Sequence, residues 1–90
     1  MADVVWSATA LVELSEIRAY IAVFNPAAAD RMVRRLLQAG NSLSDFPNRG
    51  RPAGNGLREV ATVPPYVLRY RVTNDMVSIV RVRHGARYAD

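Results

Sequence analysis

The side chains with the most evident binding chemistry in this sequence are arginines gathered near its end. They are Arg69, Arg71, Arg81, Arg83 and Arg87. Each guanidinium can make two parallel hydrogen bonds to a carboxylate or a phosphate, but it carries protons poorly because its pKa lies far above neutrality. The only histidine is His84, and histidine is the residue type best suited to proton transfer at physiological pH. A single histidine beside a glycine at a strand end is more often structural than catalytic, so the pattern favours anion binding over proton transfer.

The distribution of charge also indicates an anionic partner. The chain carries twelve basic residues, all arginine, against eight acidic ones, for a net charge of +4. Four arginines and five acids in residues 1–48 leave −1, whereas eight arginines and three acids in residues 49–90 leave +5. Such asymmetry favours a nucleic acid or an acidic protein segment as partner, although a solvated basic surface without any partner has the same composition.

Composition argues against several other classes of protein. With no cysteine and one histidine, the chain has no disulfide framework and a poor donor set for zinc, so we predict no metal and no cofactor. Apolar runs such as residues 20–24 are too short to span a bilayer, and the N-terminus lacks the pattern of a secretion signal. We therefore expect one cytoplasmic domain, residues 1–90, without a membrane partner.

Two amphipathic helices are predicted in the first half. Ser7 can cap the first, whose apolar residues recur at spacings of three and four. This buried stripe is predicted to contain Leu11, Leu14, Ile17, Ile21 and Phe24. Asn25 ends the helix and Pro26 suits the first position of the next, so the two helices form an antiparallel hairpin.

The second helix has a predicted inner and outer side. The residues expected to be buried are Ala29, Met32, Leu36, Leu43 and Phe46. Asp30 and Arg34 lie four residues apart on the outer side and are expected to pair. A loop rich in Pro, Gly and Asn follows at residues 46–56.

Strand patterns surround this helical hairpin. A short signal at residues 4–6 precedes it, and alternating strands at residues 57–62, 66–72 and 77–84 follow it. The last strand is the most apolar, which suits a central position. Tyr66 and Tyr70 are expected in the core rather than stacked on nucleic-acid bases. The order β-α-α-β-β-β predicts an α+β domain with the helical hairpin packed on one face of a small antiparallel sheet.

Strand parity places the arginines within this sheet. Arg69 and Arg71 share one side of their strand, and Arg81 and Arg83 share one side of the next. Because an unpaired buried arginine is very costly, we expect these four on the open face of the sheet, with Arg87 at its edge.

Short motifs occur in a fixed order along nearly the whole chain. They are Trp6-Ser7, the acidic segment 13–17, Asn25-Pro26, Phe46-Pro47 with Gly50-Arg51, Leu57-Arg58-Glu59-Val60, residues 66–72 and residues 79–87. Together with the order of elements they resemble the RelE/ParE superfamily of bacterial toxins from type II toxin–antitoxin modules. The resemblance implies a growth-inhibiting toxin that a cognate antitoxin holds inactive, usually by wrapping it with an acidic or amphipathic segment. It also implies contact with operator DNA only through the antitoxin complex.

The superfamily divides by activity. RelE-like members are ribosome-dependent endoribonucleases that cut mRNA, whereas ParE-like members are associated with inhibition of DNA gyrase. In the nucleases, two catalytic arginines occupy positions that align here with Val67 and near Gly85, and a tyrosine lies in a C-terminal extension that does not fit the end at Asp90. Tyr88 fills that role only if the alignment shifts. The resemblance therefore favours a ParE-like gyrase inhibitor, with a RelE-like mRNA endoribonuclease as the alternative.

The two activities imply different site residues. A ParE-like toxin needs no catalytic residue, and its predicted binding surface is the five arginines named first. The candidates for a nuclease are Arg58, Arg81, His84, Arg87 and Tyr88. A third class, a sequence-independent nucleic-acid binder, fits the charge alone and would show strongly salt-dependent affinity without toxicity.

Overall fold

A computed structural model describes residues 2–85 of the protein. In chain order the elements are β1 (Asp3–Trp6), α1 (Ala8–Ala22), α2 (Pro26–Asn41), a 3₁₀ helix (Ser42–Ser44), β2 (Arg51–Pro52), β3 (Leu57–Val63), β4 (Tyr66–Thr73) and β5 (Met76–His84). The two helices pack on a five-stranded sheet, which confirms the predicted α+β class. Neither helix is long and apolar enough to cross a membrane, and the same holds for every helix within residues 2–85.

The sheet has the strand order β1-β5-β4-β3-β2. The apolar β5 therefore occupies a central position, as predicted. Strands β2 to β5 pair antiparallel with their neighbours, but β1 runs parallel to β5, so the predicted antiparallel sheet is in fact mixed. No tight hairpin joins β1 to β5, and a strand that enters from a distant part of the chain is free to pair in parallel.

Both helices begin at the predicted capping residues. The Ser7 hydroxyl accepts the backbone N–H of Ala10 at 3.0 Å, and the Asn25 side-chain oxygen accepts that of Ala28, also at 3.0 Å. Pro26 is the first residue of α2, where its missing N–H costs nothing. These two caps fix the start of each helix and the tight junction between them.

The core lies between the helices and one side of the sheet. Its members from the helical half are Ala10, Leu14, Leu36 and Leu43, and those from the sheet include Tyr66, Leu68, Tyr70, Val77, Ile79 and Val82. Both tyrosines are buried, as expected. A Cβ atom at Gly40 would lie 2.3 Å from a ring carbon of Trp6, so α2 approaches the sheet at a point where only glycine fits.

Three apolar residues predicted to be buried are exposed instead: Leu11, Phe24 and Phe46. The buried stripe of α1 begins at Ala10, which is fully buried, so the helix is rotated away from Leu11. Phe24 and Phe46 lie beyond the last residues of α1 and α2, where the chain has left the core.

The predicted surface pair on α2 is also wrong. Asp30 accepts a hydrogen bond from Arg18 Nε at 3.0 Å, across the hairpin, rather than pairing with Arg34. The antiparallel packing of the helices brings Arg18 within reach, and a charge on a neighbouring helix competes equally well with one four residues along.

The loop after α2 is held against the sheet by Tyr70. The tyrosine hydroxyl donates to the carbonyl of Pro47 at 2.7 Å and accepts the N–H of Gly50 at 2.8 Å. Part of the predicted loop forms β2, whose Arg51 lies opposite Glu59 of β3. This pairing brings another arginine to the side of the sheet that faces away from the helices.

Candidate functional site

Strand register brings the four predicted sheet arginines to one side of the sheet. Arg69 lies directly opposite Arg81 in the β4–β5 ladder. Arg71 and Arg83 follow two positions along their own strands and so share that side. The core residues of both strands lie on the other side, beneath the helices. We call the side formed by these four arginines the arginine face.

Arg69 and Arg81 are already paired with carboxylates of the chain. Arg69 Nη2 lies 3.0 Å from Glu59 Oε2, and Arg51 Nη2 lies 3.5 Å from Glu59 Oε1. Glu59 is only 9 % exposed. Residues 51, 59, 69 and 81 are successive cross-strand partners, and Glu13 of α1 pairs with Arg81 at their end. We call these five residues the charged row.

Glu13 joins the charged row to the backbone at the edge of β5. Its Oε2 accepts hydrogen bonds from Arg81 Nη2 at 2.9 Å and Nε at 3.0 Å, while its Oε1 accepts the backbone N–H of Val82 at 2.8 Å. The Ser7 hydroxyl donates to the carbonyl of Val80 at 3.0 Å. Because β1 pairs with β5 only as far as Ile79, these two side chains supply partners that a strand would otherwise provide.

The arginine face can bind anions but cannot shuttle protons. Hydrogen bonds to Glu13, reinforced by its negative charge, raise the pKa of Arg81 above its usual value, against the opposing effect of burial. Arg81 therefore stays protonated at physiological pH. Arg71 is exposed and donates to the carbonyl of Asn55 at 3.0 Å, which leaves most of its donors available to a partner.

The nuclease candidates within residues 2–85 are not all brought together. Arg58 lies opposite Tyr70, which places it on the core side of the sheet and therefore on the opposite side from Arg81. Its Nη1 donates to the carbonyl of Gly50 at 2.6 Å, so it anchors the loop before β2. His84 lies opposite Tyr66 and contacts it edge to face, with ring centroids 5.8 Å apart.

Arg87 and Tyr88 lie outside the described residues. At the two positions aligned with catalytic arginines of the nucleases, Val67 is buried and Gly85 donates its backbone N–H to the carbonyl of Pro65 at 2.7 Å. Within residues 2–85, no group of three or more His, Cys, Asp or Glu side chains is placed to hold a metal ion.

The outer side of α1, with the two residues after it, forms a second surface that the sequence reasoning missed. Five large apolar side chains there are half or more exposed. They are Leu11 at 50 %, Val12 at 57 %, Tyr20 at 67 %, Val23 at 79 % and Phe24 at 74 %. We call them the apolar α1 face. In the sequence, this face was indicated only by three large apolar residues that do not belong to the predicted buried stripe: Val12, Tyr20 and Val23.

A groove of about 620 Å³ adjoins this face and runs from α1 to the end of the sheet. The residues that line it are Glu13, Glu16, Ile17, Tyr20, Pro65, Tyr66, Val82, Arg83 and His84. Glu13 is neutralised by Arg81, whereas Glu16 makes no ion pair with any residue from 2 to 85. Two carboxylates and the exposed Tyr20 therefore lie along this groove.

Two structures of known proteins share this fold. One is from the chromosomal ParDE toxin–antitoxin system of P. aeruginosa, with a TM-score of 0.83 and 24 % identity over 93 % of this chain and 96 % of that one. The other is a mutant of YafQ from E. coli, with a TM-score of 0.60 and 14 % identity over the whole of both chains. At sequence identities this low, the comparison shows only that the proteins share a fold.

Sequence comparisons also find relatives that align over most of this chain and most of their own length. Toxin RelE2 of Caulobacter vibrioides is 54 % identical over 87 residues, which cover 97 % of this chain and 99 % of RelE2. Toxin RelE3 of the same organism is 33 % identical over 76 residues, covering 81 % of this chain and 83 % of RelE3. A family model described as the ParE toxin of the type II toxin–antitoxin system parDE matches residues 4–88. The chain therefore belongs to the ParE toxin family, as the toxin of a type II toxin–antitoxin module whose partner is a cognate antitoxin.

Proposed function

We propose that this toxin inhibits DNA gyrase in the cytoplasm, and that its antitoxin neutralises it by covering the arginine face. The observation that carries the proposal is the position of Arg58 and Arg81 on opposite sides of the sheet. A nuclease built from the predicted residues would need both guanidiniums at one scissile phosphate. A toxin that acts by binding needs no such convergence.

The chemistry of RNA cleavage makes further demands. Attack by the 2′-hydroxyl needs a base, charge stabilisation at phosphorus and a proton for the leaving oxygen. Arginine supplies the second but not the first or third, and the pKa of Arg81 is raised further from neutrality by Glu13. His84 is the remaining candidate, and its contact with the buried Tyr66 fits a structural role at the end of β5.

The arginine face has the features of a docking surface for carboxylates. Arg71 is exposed, and Arg69 and Arg81 already bind Glu59 and Glu13. An acidic antitoxin segment laid across this side can pair with Arg71 and add to the existing ion pairs through the remaining guanidinium donors. The same segment excludes the cellular target, which accounts for neutralisation.

A second candidate function is cleavage of mRNA on the ribosome. The observation in its favour is the naming of the relatives: the protein with 54 % identity is called Toxin RelE2, and RelE-like toxins are the nucleases of the superfamily. In that case His84, at the rim of the groove with Tyr66, is the side chain placed to move a proton.

One experiment separates the two functions. The purified toxin is added to a gyrase supercoiling assay and, in parallel, to a translating extract in which mRNA ends are mapped. We expect inhibited supercoiling and intact mRNA. Arg71→Glu should weaken inhibition about tenfold, as expected for loss of one charge-assisted contact.

The matched control is Arg34→Glu, the same change at an exposed arginine on the outer side of α2, which should leave inhibition unchanged. Cleavage of mRNA at fixed codon positions with normal supercoiling, abolished by His84→Ala, would contradict the proposal and establish the nuclease.

A further inference from the structure

The arginines on the outer side of α2 differ from the other described arginines in their lack of partners. Arg31, Arg34 and Arg35 are exposed and make no ion pair, hydrogen bond or ring contact with any residue from 2 to 85. Every other arginine in that range contacts a carboxylate, a carbonyl, a hydroxyl or another group of the chain. We call Arg31, Arg34 and Arg35 the α2 arginine cluster.

The α2 arginine cluster is a concentration of positive charge that its own helix does not neutralise. Positions 31, 34 and 35 are three and four residues apart, so the three side chains share one side of the helix, where like charges repel and destabilise it. Asp30 is the sole acidic residue of α2, and it pairs with Arg18 of α1. An anion from outside the chain would therefore stabilise this side of α2.

The surroundings of the cluster favour nucleic-acid phosphates over protein carboxylates. Of the large apolar side chains exposed among residues 2–85, none belongs to α2. Protein interfaces are anchored by aromatic and other large side chains that fill pockets at their centre, and the outer side of α2 offers no such anchor. Binding to phosphates needs only positive charge and N–H donors, and each guanidinium of the cluster has five donors free.

The shape and composition of α2 favour double-stranded DNA among nucleic acids. Single strands are bound by stacking their bases on aromatic rings, and α2 contains no aromatic residue. The major groove of B-DNA admits an α-helix, whereas that of double-stranded RNA is too narrow for side chains to enter. Arg31 and Arg35 lie about 6 Å apart along the helix axis, so their long side chains can reach successive phosphates of one strand.

We propose that the α2 arginine cluster binds the phosphate backbone of double-stranded DNA without reading its sequence. Contacts of this kind hold a protein weakly on DNA and let it slide along the duplex. They need no base contact, so operator recognition stays with the antitoxin complex. This activity is separate from the arginine face and does not depend on the proposed inhibition of gyrase.

The test measures the affinity of the purified full-length toxin for short labelled DNA duplexes by fluorescence anisotropy at several salt concentrations. For three phosphate contacts, we expect the logarithm of the affinity to fall with the logarithm of salt concentration with a slope of about −2.7, whatever the duplex sequence. Arg34→Gln should lower the affinity several-fold and make this slope shallower by about one. Because glutamine forms helices about as well as arginine, α2 stays folded in this variant.

Arg71→Gln is the matched control, because it removes the same charge from the arginine face, and it should leave the slope unchanged. Failure of the toxin to bind DNA at low salt would overturn the proposal. Equal losses in the two variants would overturn it too, because net charge rather than α2 would then account for binding. So would tighter binding to double-stranded RNA, or a loss of antitoxin affinity in Arg34→Gln with DNA affinity retained. If supercoiling proceeds normally in the presence of the toxin, the gyrase proposal fails while these DNA affinities stand.

Discussion

The two helices of the hairpin share a core but differ on their outer sides. The exposed residues of α2 include Arg31, Arg34, Arg35 and Gln38, whereas α1 exposes the five apolar side chains of its outer face. Burial against the sheet sets the inner side of each helix, so it says little about function. An outer side is free of that requirement, so its composition can differ between the two helices, as it does here.

The largest expected effect comes from comparing one leucine on each helix. Leu36 of α2 is fully buried, whereas Leu11 of α1 is half exposed. Leu36→Ala should lower the free energy of unfolding by about 2–5 kcal/mol because it leaves a cavity, and Leu11→Ala by less than about 1 kcal/mol. Urea denaturation of the free toxin measures both. Equal losses would show that the outer side of α1 takes part in folding and would remove the contrast between the helices.

An intermediate effect is expected for Glu13, the residue of α1 whose carboxylate pairs with Arg81 of the sheet. Glu13→Gln keeps an oxygen for the N–H of Val82 but removes the ion pair with Arg81, whose side chain is 39 % exposed. Because solvent screens a pair of this exposure, the loss in stability should be about 1 kcal/mol. Denaturant titration checks the value, with Glu16→Gln as the control expected to be neutral. A neutral Glu13→Gln would show that the backbone contact alone holds α1 to β5.

The smallest effect is expected between the helices themselves. Arg18 and Asp30 form an ion pair in which both side chains are about half exposed. Asp30→Asn should cost no more than about 0.5 kcal/mol, and the cost should disappear in high salt. Thermal unfolding at two salt concentrations measures it. A salt-independent loss well above this size would mean that the hairpin depends on the pair more than its exposure allows.

Local signals in the sequence predicted most of the fold. The caps at Ser7 and Asn25, the proline that starts α2 and the parity of Arg69 with Arg71 all depend on neighbours within a few positions, and the structure agrees with each. Contacts between distant segments were not predictable in this way. The parallel pairing of β1 with β5 and the rotation of α1 that exposes Leu11 depend on how whole elements meet.

The same limit applies to the candidate site. Strand parity predicted that the arginines lie on one side of the sheet. It could not predict their partners, because Glu59 lies ten residues from Arg69 and Glu13 lies sixty-eight residues from Arg81. No periodicity links such positions. The apolar α1 face was visible in the sequence only as Val12 and Val23 off the predicted stripe, and exposure could be assigned only once the core was known.

The ion pairs of the charged row restrict which substitutions this sequence can accept. Replacing Glu59 alone would remove the carboxylate that pairs with both Arg69 and Arg51, and removing one partner of a partly buried ion pair costs more than the pair contributes. Viable substitutions along the row should therefore arise in matched pairs. Across related toxins, positions 59 and 69 should covary in charge, as should positions 13 and 81, while Arg71, which has no carboxylate within 4.0 Å among the described residues, should vary independently with the antitoxin it meets.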